Sequence, residues 1–147
     1  HLAPALAALG HEVCAMGINE PDATLPGVRH LLVKTPGAAD RVRRTDPEMR
    51  EVHGKLVRGQ AAAQALQQLM DGGFTPDLIY SHPGWGESMF LRDVCPGARQ
   101  VVFAEYYYGA PGGDTAFDVD PEIESAMQRD AVQVQTDKPV FAAVSAQ

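Results

Sequence analysis

The sequence predicts one α/β domain, a parallel sheet covered by helices on both faces. Short apolar runs rich in Val, Ile and Leu alternate with amphipathic helical stretches along the chain. Glycine and proline mark most of the boundaries between them. The length of 147 residues suits a single sizeable core, taken here as one domain over 1–147.

The elements follow in order. Leu2, Leu6 and Leu9 recur at helical spacing with Ala5 beside them, and Gly10 stands where a left-handed stop falls. His11 to Met16 then reads as a strand. Pro21 to Gly27 is turn-rich, and Val28 to Val33 is a second strand. Thr35 to Asp46 reads as a polar loop. Asp46-Pro47 begins a helix, with aspartate as the cap and proline in the first turn. Met49, Val52, Leu56, Gly59, Ala63, Leu66 and Met70 form its apolar stripe, and Gly72-Gly73 stops it. The small residues Gly59 and Ala61 to Ala63 call for a close neighbour.

Leu78 to Tyr80 reads as a third strand, Ser81 to Glu87 as a glycine-containing turn, and Ser88 to Val94 as a short helix ended by Pro96-Gly97. Val101 to Ala104 is another strand. A loop from Tyr106 to Asp120 leads to a helix over Pro121 to Asp130. This alternation gives a Rossmann-like pattern. A doubly wound domain opens with a strand and turn before its first helix. This chain opens inside that helix, so a first strand of about 5–6 residues is expected to be missing.

Composition narrows the function. The net charge of −7 argues against nucleic acid as the main partner. No apolar run approaches the ~20 residues that span a bilayer, and the opening residues read as an amphipathic helix rather than a signal peptide. Arg41, Arg43, Arg44, Arg50, Lys55 and Arg58 cluster, most of the latter three off the apolar stripe. The plain reading is a solvated helix face; the sharper one is a patch facing anionic lipid or a phosphorylated acceptor. Cys14 and Cys95 belong to no CxxC pair and read as reduced thiols. The histidines lack ligand-like spacing, so no metal is expected. No GxSxG, Walker or GxGxxG motif is present.

Ligands of open α/β sheets bind at the carboxyl ends of strands. Two unusual segments fall there. Ser81 to Glu87 packs His82, Gly84, Trp85, Gly86 and Glu87 together. The glycines let backbone approach a ligand, Trp85 offers a flat face for a sugar ring, and the amides opening the next helix can hold an anion. The bland alternative is a turn with a capping histidine and a core tryptophan. The second segment sets Glu105 at a strand end, followed by Tyr106, Tyr107 and Tyr108. Alternate tyrosines serve as buried anchors, whereas a carboxylate there must be paired, hydrated or protonated. Asp114, Phe117 and Asp118 lie in the loop beyond, which is either solvated or folded over a ligand.

His1 to Val13 resembles the first helix and second strand of GT-B glycosyltransferases. Pro76 to Tyr108 is similar to a bacterial branch of glycosyltransferase family 4, with an HPGWGE-like turn, an EYYY-like strand end and a GxD…FDPE loop. Here Val119-Asp120 interrupts the FDPE element. The resemblance covers most of the chain and fades after about Arg129. It implies the N-terminal, acceptor-binding half of a cytoplasmic, retaining, metal-independent enzyme of polysaccharide biosynthesis. A C-terminal half, absent here, would bind a nucleotide-sugar as co-substrate. His82 and Glu105 would be catalytic, and Gly84, Trp85, Gly86, Glu87, Tyr106, Tyr107 and Asp114 would bind substrate. Many relatives carry histidine where Glu105 falls. The partners implied are a sugar or lipid-linked glycan acceptor, the missing donor domain, the inner face of the membrane and a second copy of the fragment. On this reading the fragment alone transfers no sugar. The rival reading is a non-catalytic Rossmann-like module that lost its partner domain. A flavodoxin-like regulator is disfavoured because no phosphoacceptor pattern is evident.

Overall fold

A computed structural model describes residues 2–82 and 84–103. The element order is α1 (Leu2–Ala8), β1 (Val13–Gly17), β2 (Val28–Leu32), α2 (Ala38–Arg43), a 3-10 turn (Pro47–Met49), α3 (Arg50–Asp71), β3 (Leu78–Ser81), α4 (Leu91–Val94) and β4 (Arg99–Val102). The expected α/β class is what folds: short parallel strands joined through helices, as in a Rossmann-like half-domain. The expected helix over 121–130 lies outside the described residues.

Local chemistry sets the helix ends. α1 stops as expected at Gly10, whose φ is 90°. His11 N–H donates to the Leu6 carbonyl and Gly10 N–H to that of Ala7, the two bonds of a Schellman stop. α3 ends the same way: Gly73 has a φ of 92°, Phe74 N–H donates to Leu69 and Gly73 N–H to Met70. At the other end, Asp46 Oδ1 accepts from the Glu48 amide at 3.2 Å, the expected cap, and Pro47 opens the 3-10 turn that leads into α3.

Two expectations are corrected here. The stretch 35–46 is not all loop, because α2 forms within it from Ala38 to Arg43. Arg50 ties it down, donating to the carbonyls of Thr45 and Arg43, while Arg43 pairs with Asp40. The helix after the 81–87 turn also begins late, at Leu91 rather than Ser88. Four residues are too few to add up a macrodipole, so α4 does not supply the expected anion-binding amides.

The strands pair in two parallel ladders, β1 with β2 and β3 with β4. Val13 registers with Val28 and Leu78 with Arg99. The core lies under β3: Ala62 and Leu66 of α3, Ile79, Leu91, Cys95 and Ala98, with Met16 of β1 packed against it. Both cysteines carry free thiols. α3 buries part of the expected stripe, Gly59 and Leu66, with Met70 packed against the core. Lys55, Val57, Gly59, Ala62, Ala65 and Leu66 are buried, while Met49 and Leu56 are exposed. The buried face is offset from that stripe toward Ala62 and Ala65, small residues that permit close packing. Lys55 is therefore not on a solvated face: it is only 2% exposed, with Nζ 3.3 Å from Glu51 Oε1.

Candidate functional site

The period of two along a strand sets the first feature of the site. In β3, Ile79 turns toward α3 and joins the core. Leu78 and Tyr80 therefore take the other face, as does His82 just beyond the strand. The register puts Tyr80 beside Val101, and Phe103 follows on the same side. The Tyr80 and Phe103 rings stack with centroids 6.4 Å apart and planes 29° apart. The His82 ring lies 6.4 Å from Phe103, tilted by 58°. A run of aromatic rings thus lines the carboxyl edge of β3 and β4. Sequence reasoning missed Tyr80 and Phe103 as parts of this edge. Their signal was the alternation Tyr80, His82, which two-residue periodicity could have joined to Phe103.

The turn after His82 is built by glycine. His82 Nδ1 accepts from the Gly84 amide at 3.2 Å, which puts the proton of a neutral ring on Nε2. Gly86 has a φ of 97°, a conformation L side chains rarely adopt. A Cβ there would stand 2.4 Å from the Lys55 carbonyl oxygen. Reciprocally, a Cβ on Gly59 would stand 2.7 Å from the Gly86 carbonyl oxygen. The turn is thus laid backbone to backbone on α3, and Gly86 and Phe90 are the close neighbours that Gly59 called for.

Arg58 clamps the same turn. Its Nε–H donates to the Trp85 carbonyl at 2.7 Å and lies 3.9 Å from Glu87 Oε1. Sequence reasoning missed this role, because Arg58 read as one charge of a solvated cluster. Held this way, the Trp85 side chain is 61% exposed. It is therefore a surface aromatic and not a core residue. Ser88 Oγ and Glu87 Oε2 are buried and meet no hydrogen-bond partner among the described residues.

The structure places His82, Gly84, Trp85, Gly86 and Glu87 just beyond the carboxyl end of β3, with the Gly86 backbone packed on α3. Glu105, Tyr106, Tyr107 and Asp114 lie outside the described residues. Among the described residues no His, Cys, Asp and Glu cluster could hold a metal ion. No helix among them is long and apolar enough to cross a membrane.

Short parallel ladders with helices between the strands are consistent with a Rossmann-like half-domain. The chain belongs to the glycosyl transferase family 4 group, whose model matches residues 9–146. No curated protein and no solved structure matches the chain. Membership assigns the domain to glycosyl transfer in general, with sugar donors and acceptors as its substrates.

Proposed function

We propose that this domain binds the acceptor of a retaining glycosyltransferase, a glycan or lipid-linked sugar, at the carboxyl edge of β3 and β4. The observation that carries the reading is the exposed Trp85 just beyond β3, its carbonyl bonded by Arg58 and the adjoining Gly86 packed on α3. A flat exposed aromatic face can stack on a sugar ring, and a backbone already held in place lowers the ordering cost. His82 and Glu105 orient the acceptor hydroxyl and stabilise positive charge developing on the transferred sugar. Gly84, Gly86, Glu87, Tyr106, Tyr107 and Asp114 complete the contacts. A second domain supplies the nucleotide-sugar as co-substrate, and the family resemblance implies transfer without a bound metal. The exposed arginines Arg41 and Arg44 suit a phosphorylated or lipid-linked acceptor at a membrane face.

Trp85 is the only tryptophan in the chain, so its fluorescence reports the site directly. Titration with a panel of saccharides and polyprenyl-linked sugars should quench or shift its emission saturably, and Trp85→Ala should abolish binding measured by calorimetry. In the full-length enzyme, alanine at both His82 and Glu105 should lower turnover by a factor of about 100 or more. Unchanged turnover would remove the catalytic assignment. Absence of saturable binding across the panel would remove the acceptor site.

A further inference from the structure

The bond from Arg58 to the turn uses one of the five N–H groups of a guanidinium. Nε donates to the Trp85 carbonyl at 2.7 Å. The other four N–H groups lie on Nη1 and Nη2, in a planar fork that matches the geometry of an oxyanion. Glu87 does not take up this charge closely. Its Oε1 stands 3.9 Å from Nε, beyond the ~2.7–2.9 Å of a charge-assisted hydrogen bond, and on the same edge that holds Trp85. The neighbouring cations of α3 are committed elsewhere. Lys55 is buried beside Glu51, and Arg50 donates to the carbonyls of Thr45 and Arg43. The Arg58 side chain, by contrast, is 27% exposed. Its direction is also set. Helix side chains lean over the turn N-terminal to their own Cα. A Cβ built on Gly54, one turn ahead, would meet Arg58 Nη1 at 3.7 Å. The Nη side of the fork is thus flanked by a residue that has no side chain.

We propose that Arg58 Nη1 and Nη2 hold an oxyanion carried by the sugar that stacks on Trp85, a phosphate ester or a carboxylate. The site then selects acidic saccharides over neutral ones. This rests on the reading of Trp85 as the sugar platform. The juxtaposition that carries it lies within one residue: the indole of Trp85 is 61% exposed, and the carbonyl of the same residue fixes the guanidinium. Ring and cation therefore sit a side chain's length apart, the separation of a sugar ring from its own exocyclic acid group. The bond at Nε orients the fork before any ligand arrives, which lowers the ordering cost of binding. The partner of that bond is a neutral carbonyl, so the positive charge remains available to an anion.

The test leaves Arg58 in place, because its loss would also release the turn. Gly54→Glu puts a carboxylate one turn ahead of Arg58, the favoured order for an i,i+4 pair, where it competes with a ligand anion for the fork. Gly54→Gln adds the same bulk without the charge. Both replace a helix-interior glycine with a better helix former, so both fold. Trp85 emission and calorimetry on the whole chain compare methyl glucoside, glucose 1-phosphate and glucuronate, with inorganic phosphate as a fourth probe. In the native chain the two acidic sugars, or one of them, should bind about tenfold or more tighter than the neutral one. The acid preferred says whether the natural anion is a phosphate or a carboxylate. Gly54→Glu should bring the ratio close to one, and Gly54→Gln should keep it. Equal binding of acidic and neutral sugars by the native chain would overturn the proposal. So would a preference that survives Gly54→Glu, or one that Gly54→Gln erases as fully. Inorganic phosphate separates the two readings. Phosphate bound by the native chain and lost in Gly54→Glu, with no sugar bound at all, would remove the sugar platform and keep Arg58 as an anion contact. Neutral sugar bound without any preference for acid would do the reverse.

Discussion

Two glycines in α3 respond in opposite directions to the same substitution. In a helix interior, Gly→Ala gains about 0.8–1 kcal/mol from backbone entropy. At Gly54 a Cβ meets only Arg58 Nη1, the end of a flexible side chain, at 3.7 Å. Gly54→Ala should therefore keep that gain. At Gly59 the Cβ stands 2.7 Å from the Gly86 carbonyl oxygen and 3.1 Å from two carbons of the Phe90 ring. The oxygen belongs to a backbone already held by its own positive φ and by the Arg58 bond to Trp85. Overpacking of this kind costs about 1–3 kcal/mol. Set against the helix gain, Gly59→Ala should lose about 1 kcal/mol, leaving the two variants about 2 kcal/mol apart. For urea unfolding followed by circular dichroism, that difference separates the midpoints by on the order of 1 M. Trp85 emission adds a second reading, because only Gly59→Ala should displace the turn that carries it. If both variants raise the midpoint equally and leave the emission alone, the turn does not rest on α3 as described.

Two further outcomes follow from the same contact. Gly86→Ala combines a positive φ with a Cβ 2.4 Å from the Lys55 carbonyl, so it should cost about 3 kcal/mol or more and show as a sharply lower denaturation midpoint. Arg58→Ala removes the donor to Trp85 O from a partly exposed site, at a cost of about 1 kcal/mol. Its diagnostic is a fall in Trp85 fluorescence anisotropy, which an unclamped turn would give and a purely electrostatic role for Arg58 would not.

The strand-end turn was legible because its backbone chemistry is local. The HPGWGE run follows an apolar strand, and its glycines mark a turn that needs backbone freedom, as Gly86 with its positive φ bears out. What was not legible was its support. Arg58 and Trp85 are 27 residues apart, and nothing in the intervening sequence marks them as partners. Tyr80 and Phe103 likewise read as ordinary strand residues until the register set their rings together.

The sequence by itself determined the fold class, the stops at Gly10 and Gly73, the Asp46 cap and the place of the strand-end turn. Each depends on dihedral preference or hydrogen bonds between near neighbours, which a linear chain already contains. Only the tertiary structure decided which way α3 faces, that Lys55 is buried, that Gly59 and Gly86 meet, and that the described strands pair as β1 with β2 and β3 with β4. A helix's rotation is chosen by the surface it packs on. Small residues win the contact here because backbone approaches backbone, and the larger Leu56 and Met49 are turned outward.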